Sequence, residues 1–346
     1  MRRTTNERGR TERRRRAILA AALSSAAALL AAEIVSRRVF GVPIPERLPI
    51  VEVRTNAWRG YEMVPDRDHF TYEHAVHVNH LGLRGPDLAE KRPDELRILC
   101  LGDSTTYGQG VADADTIPAR LETELGRAAV RVVNGGVRGY GTTEELSLFE
   151  ELGPAIRPDI LVLLWYPNDL ERPEIAENAA KFERSGPVAF DTASRVEGAA
   201  LALWRVRQLA RKSALIVELR HAWVEWTYHR MTPAQIDAGF ERLDADLGSL
   251  AAAARAAGVD VLVAAIPTAA AVRGARDEDR LPERVGALAR AHAFAFVDLA
   301  PPLQELRRRI GRSSVLPYDG HYDGDANAMM ARAIAAALAT SFPSRL

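Results

Sequence analysis

The chain has 346 residues, 47% hydrophobic and 27% charged, with a formal net charge of zero. That size suits one large domain with appendages, and the balanced charge excludes the basic footprint of a nucleic-acid-binding protein. Cys100 is the only cysteine, which excludes a disulfide framework or a cysteine-based metal site within one chain.

Residues 1–16 hold eight arginines against Glu7 and Glu12. With no apolar periodicity, they read as a disordered basic tail. Ala17 to Val35 is almost wholly apolar, interrupted by Ser24, Ser25 and Glu33. At helical rise its length nearly matches a bilayer core of about 30 Å. The arginine block keeps the N-terminal side in the cytoplasm, and Arg37 and Arg38 weaken that asymmetry without reversing it. The expectation is a single-pass signal anchor over 17–35 in an inner membrane, with the chain from residue 39 outside the cytoplasm. Two alternatives stay open: a signal peptide cleaved near Ala31-Ala32-Glu33, and an alanine-rich soluble helix.

Residues 36–93 read as a linker followed by a small β-rich appendage, with short strands at Val51–Val53, Phe70–Tyr72 and Ala75–Val78. His74, His77 and His80 recur every third residue. In a strand that spacing puts His77 on the opposite face from the other two, so they read as solvated or packed histidines rather than a metal site. Asn79-His-Leu-Gly-Leu-Arg-Gly-Pro86 has turn chemistry.

From residue 94 to the end the chain alternates between strand and helix. Strands are expected at Ile98–Leu101, Val130–Val133, Ile160–Trp165, Val259–Ile266 and Phe294–Val297. Helices are expected at Ile117–Leu125, Thr142–Leu152, Pro233–Ala257, around Val285–Ala291 and at Ala326–Ala339, each with capping or stop signals. This pattern predicts an α/β fold, a three-layer α/β/α sandwich with a five-stranded, mainly parallel sheet. Residues 170–232 interrupt the rhythm as a helical, aromatic insertion containing Leu201–Leu219 and Trp223-Val-Glu-Trp-Thr-Tyr228. It reads as an extra helical pair, with a lid, an acceptor-binding wall and a membrane-facing surface as alternatives.

Chemistry-bearing residues collect where these strands end. The first strand runs into Gly102-Asp103-Ser104, the second into Gly135, Gly136 and Gly139, and the third into Asn168 and Asp169. Asp319-Gly-His321 precedes the closing helix. A serine nucleophile needs a base within reach, a carboxylate to orient that base, and donors aimed at the developing oxyanion. One strand edge of an open α/β sheet is where such a set assembles.

In these four blocks the chain resembles the SGNH hydrolases, or GDSL esterases, over roughly residues 97–340. The resemblance implies Ser104 as nucleophile, His321 as general acid/base and Asp319 as its orienter. It implies an oxyanion hole of the Ser104 N–H, the Gly139 N–H and the Asn168 amide, with no metal or organic cofactor. Thr105 follows the nucleophile where leucine is common, and Pro167 stands where a glycine is usual. Asp319 lies two rather than three residues before His321, a spacing similar to the bacterial membrane-anchored, polysaccharide-modifying branch. Asn79–Gly85 also resembles a segment of that branch, which often has Asn and Gly where this chain has Asp323 and Ala326. The implied function is a serine esterase forming an acyl-enzyme on Ser104, acting on an ester-bearing small molecule or polysaccharide such as an O-acetylated saccharide. An O-acyltransferase using the same triad, and an inactive carbohydrate-binding scaffold, are the alternatives. The expected partners are the substrate and, through residues 17–35, a lipid bilayer; nucleic acid is not expected.

Overall fold

The computed structural model describes residues 3–171, 173–189, 206, 209–228, 231–274, 280–312 and 314–346. Helix α1 (Arg3–Phe40) runs unbroken through the basic tail and the apolar stretch. The tail is therefore helical rather than disordered: arginine is a good helix former, and no proline occurs before Pro43. Within α1, Glu12–Phe40 has a mean hydropathy of 2.1 in its most apolar window, and none of that window is buried. It is an N-terminal apolar helix long enough to cross a membrane.

Strands β1 (Glu52–Asn56), β2 (Gly60–Met63), β3 (Arg67–Thr71) and β4 (His74–Val78) follow. They form two antiparallel pairs, β1 with β2 and β3 with β4. The sequence pattern missed β2. His77 and His80 each pair with a carboxylate, Asp68 and Asp87, at 2.7 Å.

The large domain starts with β5 (Leu96–Gly102) and a one-turn helix, α2 (Ser104–Tyr107). Then come α3 (Ile117–Leu125), β6 (Val130–Gly136), α4 (Thr142–Ile156) and β7 (Ile160–Trp165). In the insertion lie α5 (Ile175–Ser185), β8 (Val188–Ala189), which pairs with β1, and α6 (Ala214–Tyr228). Of the Leu201–Leu219 reading, residues 201–205 and 207–208 lie outside the described residues. The chain finishes with α7 (Pro233–Ala257), β9 (Asp260–Ala265), α8 (Ala269–Val272), α9 (Leu281–Ala291), β10 (Ala295–Asp298), α10 (Ala300–Ile310) and α11 (Gly324–Ser341).

Strands β5, β6, β7, β9 and β10 form one parallel sheet in the order β10-β9-β7-β5-β6. Alternation along each strand splits the core in two. Leu99, Leu101, Leu161, Leu163, Val261 and Val263 face one layer with residues of α4, α7 and α9. Ile98, Cys100, Val162, Leu164, Leu262 and Ala264 face the other with α3, α10 and α11. Both faces are covered, so β7 is buried along its whole length, and each such side chain contributes about 1.5–3 kcal/mol. Burial also pushes the Cys100 thiol up, which keeps it unreactive.

Helix ends follow the sequence signals closely. Thr116 caps α3 through Ala119 N and Gly126 ends it in the left-handed region. Thr232 and Gln235 form a capping box on α7, and Gly258 closes it. Helix α10 was not anticipated. Its Pro301 and Pro302 look like a loop, yet they occupy the first turn, where N–H groups have no intrahelical acceptor and proline costs little.

Candidate active site

At the C-terminal end of β5 the chain reverses sharply into α2. Gly102 has φ 159°, and a Cβ there would fall 2.0 Å from Thr106 Oγ1. Only glycine allows this turn. Asp103 caps α2, its Oδ1 accepting from Thr105 N at 2.7 Å. Ser104 is the first residue of that helix, so its N–H has no intrahelical acceptor. The turn lies directly on the end of β6: a Cβ on Gly136 would sit 2.1 Å from Tyr107 N. The paired glycines after the second strand thus let the serine turn approach its neighbour.

His321 comes from the other end of the chain. Its loop is closed by Leu316 N donating to His321 O at 2.7 Å and by Tyr322 OH donating to Pro267 O at 2.6 Å. Asp323 then caps α11 through Asp325 N and Ala326 N. His321 Nε2 lies 2.7 Å from Ser104 Oγ. On its other side, Nδ1 lies 2.7 Å from Asp319 Oδ2, close in distance but oblique to the ring N–H. Asp319 Oδ1 accepts from Tyr72 OH at 2.7 Å, and Gln109 Nε2 lies 2.9 Å from each carboxylate oxygen.

The charges support one another. Burial alone would raise Asp319, but the adjacent His321 and the Tyr72 hydrogen bond hold its carboxyl well below the usual range. Burial opposes the imidazolium of His321, yet the Asp319 charge outweighs it and raises its pKa above the usual value. A raised imidazole beside a serine hydroxyl can take its proton and stabilise the resulting cation.

Asn168 sits in a 3-10 turn, Pro167–Leu170, that follows β7. Its Nδ2 donates to Asp103 Oδ2 at 3.0 Å, which places the amide beside the residue preceding Ser104 and leaves its second N–H uncommitted to Asp103. Pro167 opens this turn, and Asp169 Oδ2 closes it by accepting from Tyr166 N at 3.3 Å and Thr142 Oγ1 at 3.2 Å. Gly139 lies in the loop after β6, and among the described residues no backbone acceptor takes its N–H. The structure therefore brings Ser104, His321 and Asp319 into contact and sets Asn168 against the same turn.

Several residues around this site were not read as part of it from the sequence. Tyr72 and Gln109 hold Asp319. Arg84, from the Asn79–Gly85 turn, is buried and reaches under the serine turn. Its guanidinium donates to Tyr107 O at 3.0 Å, Gly108 O at 2.7 Å and Val111 O at 2.9 Å, and to Asp113 Oδ1 at 2.8 Å. His69 Nε2 lies 3.0 Å from Tyr107 OH; burial, then the Arg84 charge, pulls its pKa down to about 4. Behind Asp103 lies Glu145, fully buried, whose carboxylate oxygens find no hydrogen-bond partner among the described residues. Burial and the Asp169 charge push Glu145 well above the usual carboxylate range. Among the described residues no group of His, Cys, Asp and Glu is arranged to hold a metal ion.

A parallel α/β sheet bearing a Ser–His–Asp relay at its C-terminal edge defines an α/β hydrolytic enzyme. The family model for GDSL-like lipase/acylhydrolase proteins matches residues 100–315. The chain belongs to that family, and it is an SGNH-type carboxylic ester hydrolase. The matched span stops just short of Asp319 and His321. No curated protein sequence matches the chain. Among solved structures, TesA aligns over 70% of this chain and 97% of its own at 20% identity, with a TM-score of 0.43. A member of the lipolytic G-D-S-L family from Veillonella parvula aligns over 72% and 98% at 14% identity, with a TM-score of 0.40. An acetyl-xylooligosaccharide esterase from Geobacillus Stearmophilus, in mutant form, aligns over 71% and 95% at 16% identity, with a TM-score of 0.43.

Proposed function

We propose that this enzyme is a membrane-anchored serine esterase that works through an acyl-enzyme on Ser104. The observation that carries the reading is the Ser104 Oγ–His321 Nε2 contact of 2.7 Å, backed by Asp319 at 2.7 Å. His321 Nε2 takes the Ser104 proton as Oγ attacks the ester carbonyl. The oxyanion is met by the Ser104 N–H, the Gly139 N–H and the second N–H of Asn168. His321 then passes its proton to the departing alkoxide, leaving Ser104 acylated and the alcohol free. Water, deprotonated by the same imidazole, attacks the acyl-enzyme and releases the carboxylic acid, and the proton returns to Ser104. Asp319 keeps the imidazole oriented and stabilises its cation throughout.

Helix α1 serves as the anchor, with its arginine-rich end in the cytoplasm and the sheet on the other side. The substrate class is a carboxylic ester, of which O-acetyl groups on a saccharide are the candidate form. Ser104→Ala should lower turnover on short p-nitrophenyl esters by about 10³-fold or more, and abolish labelling by a fluorophosphonate probe. Wild-type turnover in that variant would sink the proposal. Product analysis with an oligosaccharide acceptor tells hydrolysis from acyl transfer by the same intermediate.

A further inference from the structure

Helix α6, inside the insertion, is tied by its N-terminus to the membrane-spanning candidate. Glu33 of α1 accepts from Ser213 Oγ at 2.6 Å, from Ala214 N at 3.1 Å and from Leu215 N at 3.0 Å. A carboxylate thus meets the free N–H groups that open α6. Arg37 braces the joint, donating from Nε to Glu33 Oε1 and from Nη2 to Lys212 O, both at 2.6 Å. Ala214 and Val217 of α6 are buried. On the other side Ile216, Leu219 and Trp223 are exposed by 47%, 61% and 64%. Their spacing puts them on one helical face. Arg220 is exposed beside them.

Glu33 fixes the depth of this joint. It falls near the C-terminal end of the apolar stretch Ala17–Val35, which spans about 29 Å at helical rise and so fills a bilayer core of about 30 Å. The start of α6 is therefore held where hydrocarbon gives way to headgroups. A helix that exposes an apolar face bearing a Trp, held at that level, suits the boundary where aromatic residues settle between hydrocarbon and headgroups.

We infer that α6 lies in the outer surface of the bilayer beside α1, with Ile216, Leu219 and Trp223 immersed in lipid. The inference rests on α1 spanning the membrane. Its consequence reaches the site. The linker leaving α1 passes the histidine loop, where a Cβ on Gly41 would come 3.2 Å from Pro317 Cγ, and Arg47 N donates to Tyr72 O at 3.1 Å. Glu46 pairs with Arg211, next to the joint. The Ser104–His321 pair is thus held close over the lipid surface, which suits esters carried by membrane-borne molecules.

The test uses the full chain in phosphatidylcholine vesicles, with an environment-sensitive fluorophore on single introduced cysteines; the native Cys100 is buried. Labels are placed by Leu219→Cys, Ile216→Cys, Leu29→Cys in α1, and Glu305→Cys on the exposed face of α10. Spin-labelled lipid is the quencher. Expected are loss of most of the signal at residues 29, 216 and 219 and no loss at 305. Quenching at 29 with none at 216 and 219 overturns the inference and leaves the anchor standing. No quenching at 29 overturns the anchor itself, and the inference with it. A blue-shifted label at 219 that lipid does not quench, with disulfide cross-linking between copies, assigns the face to a second chain and also overturns it.

Discussion

The serine and the histidine that meet at 2.7 Å reach that contact by different routes. The serine side is shaped mainly by its own residues, with Gly136 and Arg84 packed against it. Gly102 makes the turn, Asp103 caps it, and Gly136 on the adjacent strand admits it. The histidine side is built from afar. Asp319 is held by Tyr72, from the turn between β3 and β4, and by Gln109, from the loop after α2. A short turn packed on a sheet can be encoded locally, because backbone geometry dictates its residues. A loop that carries a buried carboxylate cannot, because the groups that satisfy it come from wherever the fold brings a donor.

Breaking the histidine side should cost most. In Asp319→Asn, turnover should fall by about 10³–10⁴-fold. The same variant moves the pH profile. The base must be neutral to accept a proton, and the raised His321 pKa means wild-type activity is lost as pH falls through a value above the usual 6.5. Without the Asp319 charge, burial outweighs the smaller opposing pull of Asp103, so the acid limb of kcat/KM should shift to lower pH. An unmoved limb would show that Asp319 does not set the imidazole's affinity for protons.

Arg84→Met attacks the serine side from beneath. It strands three carbonyls that one buried guanidinium now satisfies, and should cost about 3–5 kcal/mol in thermal unfolding in detergent. Arg84→Lys should fail to restore it, since an ammonium cannot fork to several acceptors. Full recovery by lysine would mean that charge alone matters there. Tyr72→Phe sharpens the contrast at a smaller scale. Removing one hydroxyl from Asp319 should lower kcat by about 10–100-fold, on the order of the 1.5–3 kcal/mol worth of one charge-assisted hydrogen bond, with KM nearly unchanged and a small drop in unfolding temperature. An equal loss in KM would place Tyr72 in substrate binding instead.

The smallest effect is a gain. Glu145 is fully buried with no hydrogen-bond partner among the described residues, and its folded pKa is raised. A carboxyl of this kind binds its proton more tightly when folded, so wild-type stability falls as pH rises from about 4.5 through the folded value. Glu145→Gln should therefore stabilise the protein by about 1–2 kcal/mol at pH 8 and by less at pH 5. Equal effects at the two pH values would show that the carboxylate is paid no penalty for its charge.

The sheet and the flanking helices were legible because apolar runs and caps report local geometry. Strands at 98–101, 130–133 and 160–165 lie within or match the observed β5, β6 and β7, and the ends of α3 and α7 coincide with their predicted residues. The four blocks of the candidate site stood out because each sits at a strand end or a helix start and because together they resemble a family's motifs, on which their roles rest. Helix α10 was hidden by its prolines, and β2 by a four-residue length too short to show alternation. Tyr72 and Arg84 were hidden by distance in sequence. Tyr72 reads as the end of a strand and Arg84 as part of the Asn79–Gly85 turn, and only their placement turns them into partners of Asp319 and of the serine turn.

Arg84 and Tyr72 also set the boundary of the smallest portion that can be inherited as a working enzyme. A cut at residue 94 follows the rhythm of the sheet, but discards both; the span 100–315 loses Asp319 and His321 as well. Recombination that exchanged the first 93 residues for those of a distant relative would preserve every block of the site and still deprive Asp319 of its phenol and the serine turn of its guanidinium. A transplanted N-terminal segment would need to bring a tyrosine and an arginine to the same two places.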